Sequence, residues 1–172
     1  MLRDKSHEYR VRLAWEGNLG RGTQDYQAYG RGFRASVEGK PDLFGSADPA
    51  FRGDADRHNP EDLLVVALSS CHMLSYLALC ARAGISVLDY RDEAFGLMKT
   101  TAEGGGRFES VTLNPRVTIA DESRRAEALK LHEEAHALCY IASSCNFPVL
   151  HRAEVQAPIG EAGGAADRTS PS

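Results

Sequence analysis

Cysteine supplies the most reactive side chains in this sequence, and there are four: Cys71, Cys80, Cys139 and Cys145. In a reducing compartment thiols serve as core residues, metal ligands or redox groups rather than as a disulfide scaffold. A chain of 172 residues has no need of such staples to build a core. Cys71 lies in Ser69-Ser70-Cys71-His72-Met73, inside an apolar stretch. Free cysteine is among the most buried residue types, so packing alone would account for it. Nucleophilic use requires something that favours thiolate over thiol, such as a nearby cation. A nucleophilic thiol would also need donors or charges that hold the departing group. Glu61 stands ten residues earlier. On one helix that puts it on the same side as Cys71 but ~15 Å away along the axis. It could hold a cation arriving from another segment, or simply complement the helix dipole.

Cys139 is the second candidate thiol, with core packing as its ordinary alternative. Cys80 reads as packing, and Cys145 falls just past a helix. A metal-site pattern also occurs: His132-Glu133-Glu134-Ala135-His136 fits H-E-x-x-H on a predicted helix, with Cys139 as a conceivable third ligand. The five-residue pattern is loose in a helix rich in His, Glu and Ala, and no metzincin-type extension follows. The metal reading is the weaker one.

The elements that must position these residues follow from pattern. Tyr9, Val11, Leu13 and Trp15 alternate as a half-buried strand, and a glycine-rich turn runs from Gly17 to Gly22. A second strand is expected within Asp25–Glu38, then a long loop over 39–58 of the kind that is functional or mobile. Asn59-Pro60-Glu61-Asp62 is a helix start, with a cap, a proline at the first position and two acids. The nearly continuous apolar run Leu63–Ala83 predicts a buried central helix ended by Gly84. Strands are expected at 85–102 and 107–119, joined by a Glu103–Gly106 turn. A helix from Asp121 or Ser123 to about Ala142 and a strand at Phe147–Val155 follow. The predicted class is α+β with antiparallel sheet, one domain over 1–157 and a disordered tail over 158–172.

A net charge of −4, a pI near 5.9 and no basic stripe argue against nucleic-acid binding. No unbroken run of ~18 apolar residues predicts a membrane span. The polar start lacks a signal-peptide core. The expectation is a soluble cytoplasmic protein without cofactor.

Four stretches together resemble the OsmC/Ohr family of thiol-dependent peroxidases. They are Trp15-Glu16-Gly17-Asn18-Leu19-Gly20-Arg21-Gly22; Asn59-Pro60-Glu61-Asp62-Leu63-Leu64 with Ala67 and Ser69-Ser70-Cys71; Val111–Val117; and Ala135-His136-Ala137-Leu138-Cys139. The resemblance implies an OsmC-like fold, with antiparallel sheets wrapped around a long central helix in an intertwined homodimer. It implies that Cys71 attacks an organic hydroperoxide and that Cys139 resolves the sulfenic acid into a disulfide. It implies an activating arginine held by Glu61, with Arg21 the best match and Arg31 and Arg34 as alternatives. It also implies a small-molecule hydroperoxide substrate, a dithiol reductant of the lipoyl kind and a role in oxidative-stress defence. Cys139-Tyr140-Ile141-Ala142-Ser143 departs from the Ohr pattern C-P-x-S, and Ser69–Met73 is closer to a less characterised OsmC-like branch. The competing reading is a catalytically weak protein of the same fold that binds a small ligand or senses oxidants.

Overall fold

The computed structural model describes residues 6–158. The expected disordered tail therefore lies, but for Pro158, outside the described residues. The chain forms two compact units, Met1–Leu64 and Val65–Ser172.

The first unit carries a three-stranded antiparallel sheet: β1 (Arg12–Trp15), β2 (Phe33–Ser36) and β3 (Leu43–Gly45), in that order. Between β1 and β2 the chain closes on itself through glycine. Gly17 packs so tightly on Gly30 that any Cβ on it would strike the Gly30 carbonyl. Gly30 N donates to Gly17 O, and Trp15 Nε1 donates to Gly30 O at 2.8 Å. The predicted long loop contains β3, a 3-10 turn at Pro49–Phe51 and a tight return in which buried Ser46 accepts from Asp54 N. Asn59 caps the next helix as expected. Its side chain accepts from Asp62 N at 2.7 Å, and its own N–H donates to Asp62 Oδ2. That reciprocal arrangement satisfies two donors at the helix start.

The helix α1 (Pro60–Arg82) is the longest element. Its length and apolarity would suffice for a membrane span, although no unbroken apolar run announces one. Within the second unit it contributes protein core instead. Leu68, His72, Tyr76 and Cys80, four residues apart, form its buried stripe. The other side, Val66, Leu74 and Ala78, is exposed, so the helix is not buried all round as the sequence suggested. Gly84, at φ +71°, takes the left-handed position past the helix end, and Ile85 N returns to Cys80 O.

The second unit holds two three-stranded sheets, β4-β7-β9 and β5-β6-β8. Each predicted long strand is two strands. The first divides into β4 (Val87–Asp92) and β5 (Phe95–Thr100), the second into β6 (Gly106–Leu113) and β7 (Pro115–Ile119). Both breaks fall at one corner, where Asn114 N donates to Asp92 Oδ1 and Asn114 Nδ2 donates to Glu93 O. The expected turn near Gly104 joins β5 to β6. Sheet pairing is mixed rather than purely antiparallel. The chain crosses through α2 (Arg125–Leu138) and α3 (Tyr140–Ser143), so β8 (Val149–His151) and β9 (Glu154–Gln156) return parallel to β6 and β7. The core of this unit gathers α1, the β7 and β9 side chains and the Ala128, Leu131 and Ala135 face of α2.

Candidate functional site

Cys71 sits midway along α1 and is half-buried. Cys139 is buried where the predicted second helix breaks. Its backbone leaves helical geometry at ψ 105°, ending α2 and opening α3, and its Sγ accepts from Ala142 N at 3.4 Å. The two thiols face one another within interaction range. Burial and the hydrogen bond with Cys71 push the Cys139 thiol up to about 11, against the opposing pull of the Ala142 and Ile141 amides. The second unit thus brings together a half-accessible sulfur and a buried, protonated one, both as free thiols. Cys80 lies in the apolar core and Cys145 is half-buried. Burial raises both thiols, which suits packing.

Glu61 and the candidate arginines belong to the first unit. Arg21 is exposed on the glycine turn, where Asn18 Oδ1 accepts from Gly20 and Gly22. Arg34 is tied to Glu16 at 2.9 Å and to Asp42 at 3.4 Å. Arg31 is held differently. Its guanidinium lies 4.0 Å from the Tyr29 ring centre and 4.4 Å from that of Tyr26, and it donates to the carbonyls of both residues. Arg31 also shares with Glu61 the lining of a cavity of about 210 Å³, together with Phe33, Asp48 and Phe51.

A cluster that sequence reasoning missed lies beside the thiols in sequence. His72 and His132 are both fully buried, and Nε2 of the first meets Nδ1 of the second at 3.0 Å. The rings are nearly coplanar, 8° apart, with centres at 5.3 Å. That separation is the N···N distance plus the two ring radii, so the rings lie edge to edge and in line, not stacked. Tyr76 stacks on His132 at 3.8 Å, and His151 lies beside both His72 and His136. Burial, reinforced by the neighbouring imidazoles, lowers His72 to about 4 and His132 to about 3, so both are neutral at physiological pH. The H-E-x-x-H pattern places His132 in this core and leaves Glu133 in solvent, 3.5 Å from His151. Among the described residues no group of three or more His, Cys, Asp or Glu has metal-binding geometry. The in-line pair explains this for His132, because its Nδ1 is aimed at the His72 ring rather than at a shared point. The four-residue rhythm His72, Tyr76, Cys80 was the visible signal that His72 belongs to the buried stripe.

A helical thiol thus lies beside a second thiol at a helix junction, in an α+β fold with mixed sheets. A family model for OsmC-like proteins matches residues 53–151, and the chain belongs to that family. An OsmC-like protein of unknown function from Vibrio cholerae is 28% identical, with a TM-score of 0.77 over 87% of this chain and all of the other. Two organic hydroperoxide resistance proteins share the fold. The one from Elizabethkingia anophelis is 18% identical, with a TM-score of 0.63 over 89% of this chain and 99% of its own. The one from Legionella pneumophila is 17% identical, with a TM-score of 0.64 over the same shares. Among curated proteins no relative matches.

Proposed function

We propose that this protein is a thiol-dependent peroxidase that reduces organic hydroperoxides in oxidative-stress defence. The observation that carries the reading is the pairing of half-accessible Cys71 with buried Cys139. The Cys71 thiolate attacks the outer peroxide oxygen. The O–O bond breaks, the alkoxide takes a proton and leaves as alcohol, and Cys71 becomes a sulfenic acid. Cys139 then attacks that sulfur. Its proton leaves with the hydroxyl as water, and a Cys71–Cys139 disulfide remains. A dithiol reductant of the lipoyl kind restores both thiols. Burial keeps Cys139 protonated and unreactive until the sulfenic acid forms beside it.

The activating cation is an arginine oriented by Glu61. Arg21 is the candidate by motif, and Arg31 is the candidate by its shared cavity with Glu61. The active form is a homodimer, a reading supported by the exposed apolar side of α1.

The test is peroxide consumption with tert-butyl hydroperoxide and either a lipoyl dithiol or a monothiol as reductant. Turnover should be faster with the dithiol and absent in Cys71→Ser. Full turnover by Cys71→Ser would falsify the assignment.

A further inference from the structure

We propose that the His72–His132 hydrogen bond is a positioning device, holding α2 against α1 in the register at which Cys71 meets Cys139. The use made of the two thiols rests on the peroxidase reading above; the device itself rests on four side chains. Cys71 and His72 are neighbours on α1, one residue's rise and about 100° apart. His132 and Cys139 are seven residues apart on α2 and its cap, close to two full turns, so they share a face. The two cross-contacts are thus nearly level on α1 but about 10 Å apart along α2. The two helices also share an apolar cluster, Tyr76 and Cys80 of α1 with Ala128, Leu131 and Ala135 of α2, and Tyr76 stacks on His132. Apolar packing alone would let α2 slide or swivel on α1, and the hydrogen bond fixes its position and rotation.

The pair is suited to this task because it has no other way to be satisfied. Both rings are buried, and their outer nitrogens, His72 Nδ1 and His132 Nε2, have no partner. An N–H···N bond weakens steeply with angle and distance, whereas apolar surfaces slide with little penalty. A buried polar contact therefore selects one register among several that hydrophobic packing would accept, the best-attested role of such pairs. Tyr76 on one face of His132 and His151 beside His72 keep the rings from turning out of line. A disulfide tolerates Cα separations only up to about 7 Å, so the thiols have little slack for sliding.

Diamide provides a test independent of peroxide chemistry. It takes two electrons and two protons from a dithiol, becoming the hydrazine while an S–S bond forms. The rate of Cys71–Cys139 bridging is read by peptide mapping, alongside the rate of Cys71 alkylation, in wild type and three variants: His132→Leu, His72→Gln, and His72→Gln with His132→Asn. His132→Leu removes the bond and should slow bridging about tenfold while leaving alkylation unchanged. His72→Gln with His132→Asn replaces Nε2 and Nδ1 by amide groups at similar reach. It should restore bridging to within about threefold of wild type. Bridging at the wild-type rate in folded His132→Leu overturns the proposal. So does a folded amide pair that bridges as slowly as a single His72→Gln variant, an arm that stands even if His132→Leu does not fold. Wild-type protein that bridges with diamide yet consumes no peroxide defeats the peroxidase reading and leaves this inference standing. Wild-type protein that bridges with neither oxidant defeats the inference.

Discussion

At the residue scale, Cys71 and Cys139 differ in their surroundings, one half-buried and the other buried. Cys139, buried and with its thiol pushed up to about 11 by burial and the neighbouring Cys71, should resist alkylation at neutral pH while Cys71 reacts. Differential labelling with iodoacetamide followed by peptide mapping checks this, and preferential labelling of Cys139 would reverse the roles. Replacing Cys139 by serine should leave a Cys71 sulfenic acid without its resolving thiol. Dimedone should then trap it after one equivalent of peroxide, with turnover by the dithiol largely lost. The arginine question is also settled at this scale. If Glu61 presents Arg31, then Arg31→Lys should shift the pH profile of Cys71 alkylation upward while Arg21→Lys leaves it in place; the reverse outcome restores Arg21. Lysine keeps the charge but loses the planar, stacking guanidinium that Tyr26 and Tyr29 hold. Cys71, Cys139 and Glu61 stood out in the sequence as candidates by residue type and spacing, and the choice of arginines came from the family resemblance. The histidine pair did not stand out. Its partners are sixty residues apart, and H-E-x-x-H drew attention to a local pattern when His132 was answering a residue on another helix.

At the element scale, the α1–α2 contact should be acid-sensitive. His72 and His132 bind protons more weakly when folded than an ordinary unfolded histidine does, about 4 and about 3 against 6.5. Between those values the unfolded chain holds more protons, so stability rises with pH there. It should be fully present above about 6.5 and should fall as pH drops toward 4. The titratable groups near the pair are His136 and Glu133 of α2, His151 of β8 and Tyr76 of α1. Urea midpoints from pH 7.5 to 4.5 measure the fall, and His72→Gln with His132→Asn should flatten it. A wild-type curve that stays level over that range rejects the assignment. The helix α1 was readable from Asn59, Pro60 and Gly84, whose cap and turn chemistry is local, whereas the break of the second helix at Cys139 was not. The splitting of the long strands was not, because the bend depends on Asn114 bonding across to Asp92 and Glu93. Neither residue announces its partner.

For the whole molecule, the arrangement of α1 has a consequence for assembly. One side packs inward through Leu68, His72, Tyr76 and Cys80, while Val66 and Leu74 are 56% and 62% exposed. Apolar side chains aligned on one helix face mark a surface that a second copy can cover. Sedimentation of the wild type should show a dimer down to low protein concentration, and Val66→Asp with Leu74→Asp should weaken it. A folded, monomeric wild type would exclude the dimer. The sequence showed the helix's apolar wealth but not its division into an inner and an outer side. A nearly uniform hydrophobic run does not say which residues face their own chain.

The sheet corner bears on how this chain can change length. On one track the bend consumes two residues, Glu93 and Ala94, and on the other a single one, Asn114. The longer link is the outside lane of the curve, and neither link lies in a hydrogen-bonded ladder. An extra residue beside Ala94 would therefore be taken up by the lane that already has slack. The same insertion within Val117–Ile119 would turn every following side chain to the opposite face and drive core residues into water. Single-residue insertions scanned from Val87 to Ile119 should show tolerance at 93–94 as well as in the exposed turn around Gly104, read as retained melting temperature, with losses inside the strands.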